Sequence, residues 1–328
     1  MTNIAVIGVG VMGTNHARVL SCMKNVNFTA ISDIDETKLN IAGNQFNIAK
    51  KYKDHKELLK NEKLDGVIIA VPATHHKKVV FDCINAGVNV LLEKPISHDI
   101  IEAQEIIDIA KKKDIILLIG HIERFNPVVA KMKEFIQAGN LGDIYLVNST
   151  RIGPYPKRLY GLQEGVLIDI SIHDIDIIRY LVGEINQVYS QLLFSGNQEI
   201  YAKNLFRIGK TAVGSSEFSW ISPKRLRTIE IYGLKGMLTA DYFNQKLTFY
   251  ENNDAEVERS LEKGSISAGK IIEIPVIKQE PLIIELNHFI ECIKTKRKPL
   301  VNPKDAKRAL EIAIAILKSD KENMPVNI

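Results

Sequence analysis

Residues 4–13 read IAVIGVGVMG. Four apolar residues run into glycines at 8, 10 and 13, and a helical pattern follows over 14–24. A strand that feeds G-x-G-x-x-G and then a helix is the opening of a dinucleotide-binding unit. The glycines allow a tight turn and close backbone approach to a pyrophosphate. The helix start adds N–H donors and a favourable dipole. Gly8, Gly10, Val11, Met12 and Gly13 are therefore candidate cofactor residues. A second apolar run, FTAISD (28–33), ends in Asp33, at the spacing where an acid meets the adenosine ribose diol. Its charge repels a 2′-phosphate, which favours NAD over NADP. Ile34 can lie along the adenine face, although an apolar side chain there also suits ordinary packing.

Outward from this turn, short apolar runs alternate with helical patterns through residue 121. The runs are 4–10, 28–33, 66–71, 89–94 and 115–121. The helical stretches are 14–24, 36–43, 54–61, 75–86 and 98–112. Runs apolar on both faces predict a parallel sheet covered by helices. Ligands bind at the carboxyl edge of such sheets. That directs attention to AVP (70–72), LLEKP (91–95) and IGHIERFNP (119–127).

A helix is expected at about 126–138, after which the pattern changes. Alternating runs at 143–151, 187–194, 212–220, 227–233 and 246–250, with IIEIPVI at 271–277, predict an antiparallel sheet with one more polar face. Two amphipathic helices, about 282–296 and 303–319, close the chain. The expected fold is α/β plus α+β: a Rossmann domain over 1–122, an α+β substrate and oligomerisation domain over 123–280, and C-terminal helices over 281–328 that pack back toward the first domain.

The chain has 328 residues, 45% of them hydrophobic and 25% charged, with net charge +4. This is ordinary globular composition. The mild charge suits an anionic small molecule and does not argue for nucleic acid. One tryptophan offers no base-stacking platform of the kind single-stranded nucleic acid needs. Cys22, Cys83 and Cys292 lie far apart in apolar contexts, so a reducing cytosol fits and a disulfide scaffold does not. The N-terminus enters a strand directly, without a signal-peptide pattern, and no apolar run is long enough for a bilayer. A soluble, cytoplasmic protein without membrane contact is expected.

Residues 167–176, LIDISIHDID, place carboxylates and an imidazole in an isoleucine-rich run. At helical spacing Asp169, His173 and Asp176 share one stripe, continued by Tyr180, while Asp174 faces away toward solvent or a loop. A solvated face is one reading. Yet 166–178 contain no Lys, Arg or Glu, whereas solvated stretches such as KELLKNEK (56–63) are lysine-rich. A metal site wants further ligands, and no HExxH or cysteine cluster supplies them. The remaining reading is an acid–base pair in which a carboxylate orients a histidine. Lys94 ends an apolar strand beside Pro95: one reading is a lysine that reaches for solvent, the other a second proton-handling group at the cofactor edge, where a cationic NAD ring would lower its pKa. His16 is read as packing near the glycine turn. His55, His98 and His288 show no partner pattern, and His75 is the more exposed neighbour of His76.

With GVGVMGTNHAR (8–18), AVPATHH (70–76), EKP (93–95) and D-x-x-x-H (169–173), nearly the whole chain resembles the Gfo/Idh/MocA oxidoreductases, which include glucose–fructose oxidoreductase and inositol dehydrogenase. The resemblance implies a Rossmann domain followed by an open antiparallel sheet. It implies Lys94, Asp169 and His173 as the catalytic set. It implies cofactor contacts at Gly8, Gly10, Gly13, Asp33, Ala70, Val71, Pro72, His76, Glu93, Lys94 and His121, and assembly as a dimer or tetramer. GHIERFNP (120–127), RIGPYPKR (151–158) and VLIDISIHDIDIIRYL (166–181) are similar to the nucleotide-sugar branch, whose members oxidise C3 of UDP-N-acetylglucosamine or its uronic acid. In that light Arg151, Lys157 and Arg158 form a cationic loop for a diphosphate or carboxylate. Arg124 and Asn126 face the sugar or nicotinamide, or cap the helix starting near Pro127. A free-sugar or inositol dehydrogenase is the alternative enzyme. A dinucleotide-binding sensor or scaffold is the alternative outside catalysis.

Overall fold

Apolar strands that can bury both faces need helices on both sides, and the first part of the chain supplies them in alternation. A computed structural model describes residues 1–156, 164–253 and 268–328. They form two compact units: Met1–Ile122 with Glu280–Leu310, and Glu123–Gln279 with Glu311–Ile328.

In the first unit, β1 (Thr2–Ile7), β2 (Val26–Ser32), β3 (Lys51–Tyr52), β4 (Gly66–Ile69), β5 (Asn89–Glu93) and β6 (Leu117–Gly120) build a parallel sheet in the order β3-β2-β1-β4-β5-β6. The connecting helices are α1 (Val11–Cys22), α2 (Glu36–Gln45), α3 (His55–Asn61), α4 (His76–Asn85) and α5 (Ile100–Lys112). Asp35, Asp54 and Asp99 cap α2, α3 and α5 by accepting backbone N–H bonds in the first turn. Strand order reverses between β1 and β4, which is where a doubly wound sheet opens its ligand crevice. Gly66 lets a later helix, α8 (Pro281–Thr295), sit close: a Cβ there would lie 2.7 Å from Ile293 Cδ1 and 3.1 Å from Phe289 Cε1.

The second unit holds a nine-stranded sheet. Its strands are β7 (Ile144–Pro154), β8 (Ile185–Ser195), β9 (Gln198–Ile208), β10 (Ala212–Ser219), β11 (Ile221–Gly233), β12 (Gly236–Asp241), β13 (Lys246–Asn252), β14 (Ala268–Ile274) and β15 (Val326–Asn327). The order is β14-β13-β12-β11-β7-β10-β9-β8-β15. The sheet is mixed, not wholly antiparallel as the alternation suggested. β10 runs parallel to β7, with Val213 opposite Leu146, because a helical excursion and the β8–β9 hairpin intervene between them. β9 and β12 escaped the reading of the sequence, although both show period-two burial. α6 (Pro127–Gln137) packs on this unit, and α7 (Ile172–Leu181) occupies the excursion. The last helix, α9 (Pro303–Glu322), runs from the first unit into the second, so residues after 310 fold with the sheet that β15 joins.

Candidate active site

The glycine turn of the first unit is built from backbone against backbone. Gly8 has φ +89°, and a Cβ on it would lie 2.7 Å from the Ala70 carbonyl oxygen. A Cβ on Gly13 would lie 1.8 Å from the Gly8 carbonyl oxygen. Gly10 caps α1 without a side-chain bond, so the first-turn N–H groups are left for a ligand rather than for a capping residue. Val11 and Met12 are exposed beside them. Asp33 braces the turn by accepting from Val9 N (2.7 Å) and Asp35 N (2.8 Å). A carboxylate has about four acceptor sites, so two bonds leave capacity for a ribose. Ile34 stands 89% exposed next to it. This donor set and this glycine-lined cradle fit a dinucleotide pyrophosphate.

Other proposed cofactor contacts have a different place. Ala70 and Val71 are half-buried and Pro72 is exposed at the end of β4, as a sheet-edge loop requires. His76 is buried, with Nδ1 2.9 Å from Pro95 O and Nε2 3.0 Å from Val71 O. Both ring nitrogens thus face carbonyls, and the ring braces two loops instead of reaching outward. A neutral imidazole can donate only one of these bonds, and burial holds His76 below the usual histidine range. Glu93 is likewise turned inward. Its Oε1 lies 2.7 Å from His16 Nε2, so the side chain is not offered to a cofactor at the sheet edge. His121 is buried at the end of β6. Lys94, half-buried, precedes Pro95 in a cis peptide bond. His55 also has a partner, Asp82, 2.9 Å from its Nε2.

In the second unit, residues 167–176 are not one regular helix. Leu167–Ser171 form a π-helical turn that leads into α7. Glu199 of β9 receives the Leu167 N–H, and Gly165 makes room for that carboxylate, since a Cβ there would lie 1.8 Å from Glu199 Cδ. Asp169 sits in the wide turn, only 4% exposed, and His173 follows half-buried in the first turn of α7. Short π segments recur at functional sites because they re-aim a side chain.

The other aspartates have structural partners. Asp174 does not face solvent. It is buried and accepts from Ser149 Oγ and Arg151 Nε. Asp176 forms a two-bond pair with Arg124: Nε–Oδ2 2.7 Å and Nη2–Oδ1 2.6 Å. The Arg124 guanidinium also lies 4.8 Å over the Tyr180 ring, so the far end of the stripe is a packing device. Arg151 belongs to strand β7, not to a loop. Its Nη1 donates to Glu123 Oε1 at 2.9 Å. Burial works against the Arg151 charge, but Asp174 and Glu123 outweigh it and hold the guanidinium protonated. Asn126 caps α6 through the Val128 N–H, and its amide donates to Glu123 and Tyr242 O, so the capping alternative describes it. Lys157 and Arg158 lie outside the described residues.

Beside Asp169 the second unit opens a pocket of about 530 Å³. Its wall includes Arg151, Tyr155, Trp220, Arg225, Arg227 and Phe243. Arg151 Nη2 is buried there without a hydrogen-bond partner among the described residues. Arg227 stacks on Phe243 at 4.5 Å, and Tyr155 meets Trp220 edge-on at 5.2 Å. Arg225 is exposed at the rim. Reading the sequence missed this group. The run KRLR (224–227) and the single tryptophan were its visible signals.

Residues 2–121 match the family model described as "Oxidoreductase family, NAD-binding Rossmann fold", and 129–239 match the "GFO/IDH/MocA C-terminal domain". The chain belongs to the Gfo/Idh/MocA oxidoreductase family. It is 30% identical to the myo-inositol 2-dehydrogenase of Thermotoga maritima, covering 99% of this chain and 98% of the relative. It is 29% identical to the NAD(+) scyllo-inositol 2-dehydrogenase of Bacillus subtilis, covering 99% and 95%. The solved UDP-N-acetylglucosamine 3-dehydrogenase of Acidithiobacillus ferrooxidans superposes with a TM-score of 0.83 at 21% identity over 98% of each chain, which shows a shared fold. The first unit of this Gfo/Idh/MocA member is an NAD-binding Rossmann domain. No helix among the described residues is long and apolar enough to cross a membrane.

Proposed function

We propose that the protein oxidises a secondary hydroxyl of a UDP-sugar, namely C3 of UDP-N-acetylglucosamine, within the broader chemistry of an NAD-dependent sugar or polyol dehydrogenase. The observation that carries the sugar-nucleotide reading is the pocket beside Asp169, with Arg151, Arg225 and Arg227 among aromatic rings. A diphosphate satisfies arginine forks, and a pyrimidine ring stacks on aromatic faces. A free polyol offers neither. The uronic acid of the same sugar is the nearest variant, since arginine accepts carboxylate as readily as phosphate.

In this reading His173 takes the proton of the substrate hydroxyl, Asp169 orients it and stabilises its charged form, and Lys94 is the other proton-handling group. NAD held by the first unit would supply the hydride acceptor. Gly8, Gly10 and Gly13 cradle its pyrophosphate, Asp33 takes the ribose diol, and Ile34 lies along the adenine. Assembly as a dimer or tetramer belongs to the same reading, supported by the exposed Leu193, Phe194, Leu205 and Val213 on β8–β10.

NADH formation is measured on a panel of UDP-sugars, free sugars and inositols. UDP-N-acetylglucosamine is expected to give the highest kcat/KM. Oxidation of inositol with silence on every UDP-sugar overturns this reading. It would establish the second one, a polyol dehydrogenase, which rests on the names of the full-length relatives. On the true substrate, His173→Ala lowers turnover by about 10²–10⁴ with NADH binding retained. Unchanged turnover removes His173 from the mechanism.

A further inference from the structure

The end of β5 carries two charged residues with opposite fates. Lys94 is the residue the proposed chemistry uses. Glu93 turns into the first unit, where it is 7% exposed and bonded to the fully buried His16 of α1. Gly120 on the neighbouring strand leaves the space for this, since a Cβ there would lie 3.1 Å from Glu93 Oε2. A third group belongs to the same interior. Glu285 of α8 is fully buried on a face otherwise made of Leu282, Leu286 and Phe289. Neither of its carboxyl oxygens has a hydrogen-bond partner among the described residues. An ionised carboxylate without partners is far costlier to bury than a neutral acid.

The two carboxyls are driven apart. Burial, and then the charge of Glu93, push Glu285 well above the usual carboxylate range. For Glu93 burial again opposes ionisation, but the bond and charge of His16, and the Lys94 ammonium, outweigh it and hold Glu93 below that range. Environments that separate two titratable groups in this way assign one as acid and the other as base.

We infer that Glu93, His16 and Glu285 form a positioning assembly for Lys94. The assembly acts through Lys94 and so rests on the part given to Lys94 above. The Glu93 carboxylate, anchored by His16, fixes the strand end and sets the field at the neighbouring ammonium. Glu285 fills its place without adding a second negative charge. The remaining titratable groups around Glu93 are His76, whose Nδ1 faces Pro95 O, and His121, which follows Gly120.

Infrared difference spectra of the full-length protein test where the proton lies. The carbonyl stretch of a protonated carboxylic acid is expected in the wild type and in Glu93→Gln, and absent in Glu285→Gln. Loss in Glu93→Gln with retention in Glu285→Gln overturns the assignment. The tie to Lys94 is read without substrate. In carbon-13 lysine-labelled protein, the Lys94 ε-methylene resonance, assigned with Lys94→Arg, moves in Glu93→Gln and returns toward the wild-type position in Glu93→Asp. An unmoved resonance overturns the positioning role. With substrate, Glu93→Gln lowers kcat by about 10- to 100-fold at unchanged NADH affinity. A lower melting temperature with unchanged kcat marks Glu93 as structural only and overturns the proposal. If the wild type oxidises no sugar or polyol, the proposed function fails, while the infrared and resonance readouts still decide this inference.

Discussion

The glycine turn at 8–13 and the helix at 167–181 carry the same kind of promise in the sequence, a motif with chemistry in it, and they fulfil it differently. In the turn, the geometry is a matter of backbone. Gly8 and Gly13 pack against carbonyls at distances that admit no side chain, so glycine is required at both positions. In the helix, the meaning of each carboxylate depends on what another strand brings to it. Asp174 and Asp176 look like Asp169 in the sequence. Arg151 from β7 and Arg124 claim them, and Asp169 is set apart by a π turn.

The sharpest break of this comparison is Gly13→Ala. If the turn is a backbone device, its methyl group has nowhere to go, and NADH binding measured by fluorescence is expected to vanish. Retained affinity would mean that the turn tolerates side chains and that its motif is incidental. The next effect tests the helix. Asp174→Ala strands the buried Arg151 guanidinium beside a single remaining carboxylate, and removal of one partner from a buried pair costs about 3–5 kcal/mol. Denaturant unfolding should show a loss of that size. A solvated Asp174 would cost no more than about 0.5 kcal/mol, and that result would restore the reading made from the sequence.

What the sequence made legible follows the same division. Alternation of apolar runs with helical patterns revealed the Rossmann unit, and in the structure Asp35, Asp54 and Asp99 start three of its helices by local bonds. The absence of Lys, Arg and Glu from 166–178 set the stripe apart from a solvated face, and Asp169 and Asp176 are buried, but Asp174, expected toward solvent or a loop, is buried as well. The π turn was hidden because the contact beside it, Glu199 against Leu167 N–H and Gly165, comes from a distant strand and a lone glycine that carry no signal in the D-x-x-x-H spacing. The parallel β7–β10 pair was hidden because alternation reports which face is buried and says nothing about strand direction. Arg225 and Arg227 drew no reading in the sequence, and the β7–β11 pairing brings them beside Asp169.

The smallest effect lies between the two regions in character, at a histidine whose role is set by backbone. His76 is held below its ordinary value of 6.5, chiefly by burial. Well above pH 6.5 the ring is neutral in both folded and unfolded chains and contributes nothing to the pH dependence. As pH falls below that value, the unfolded chain takes up a proton that the folded ring resists, so stability falls with pH. The slope from one such group is at most about 1.4 kcal/mol per pH unit. His76→Gln keeps a donor for one of the two carbonyls and cannot titrate. Its unfolding free energy should therefore be flatter than the wild type's between about pH 6.5 and 5.5, by at most about 1 kcal/mol over that interval. Parallel curves would mean that His76 titrates alike in both states, and that the two carbonyls of Val71 and Pro95 stabilise its cation as well as burial opposes it.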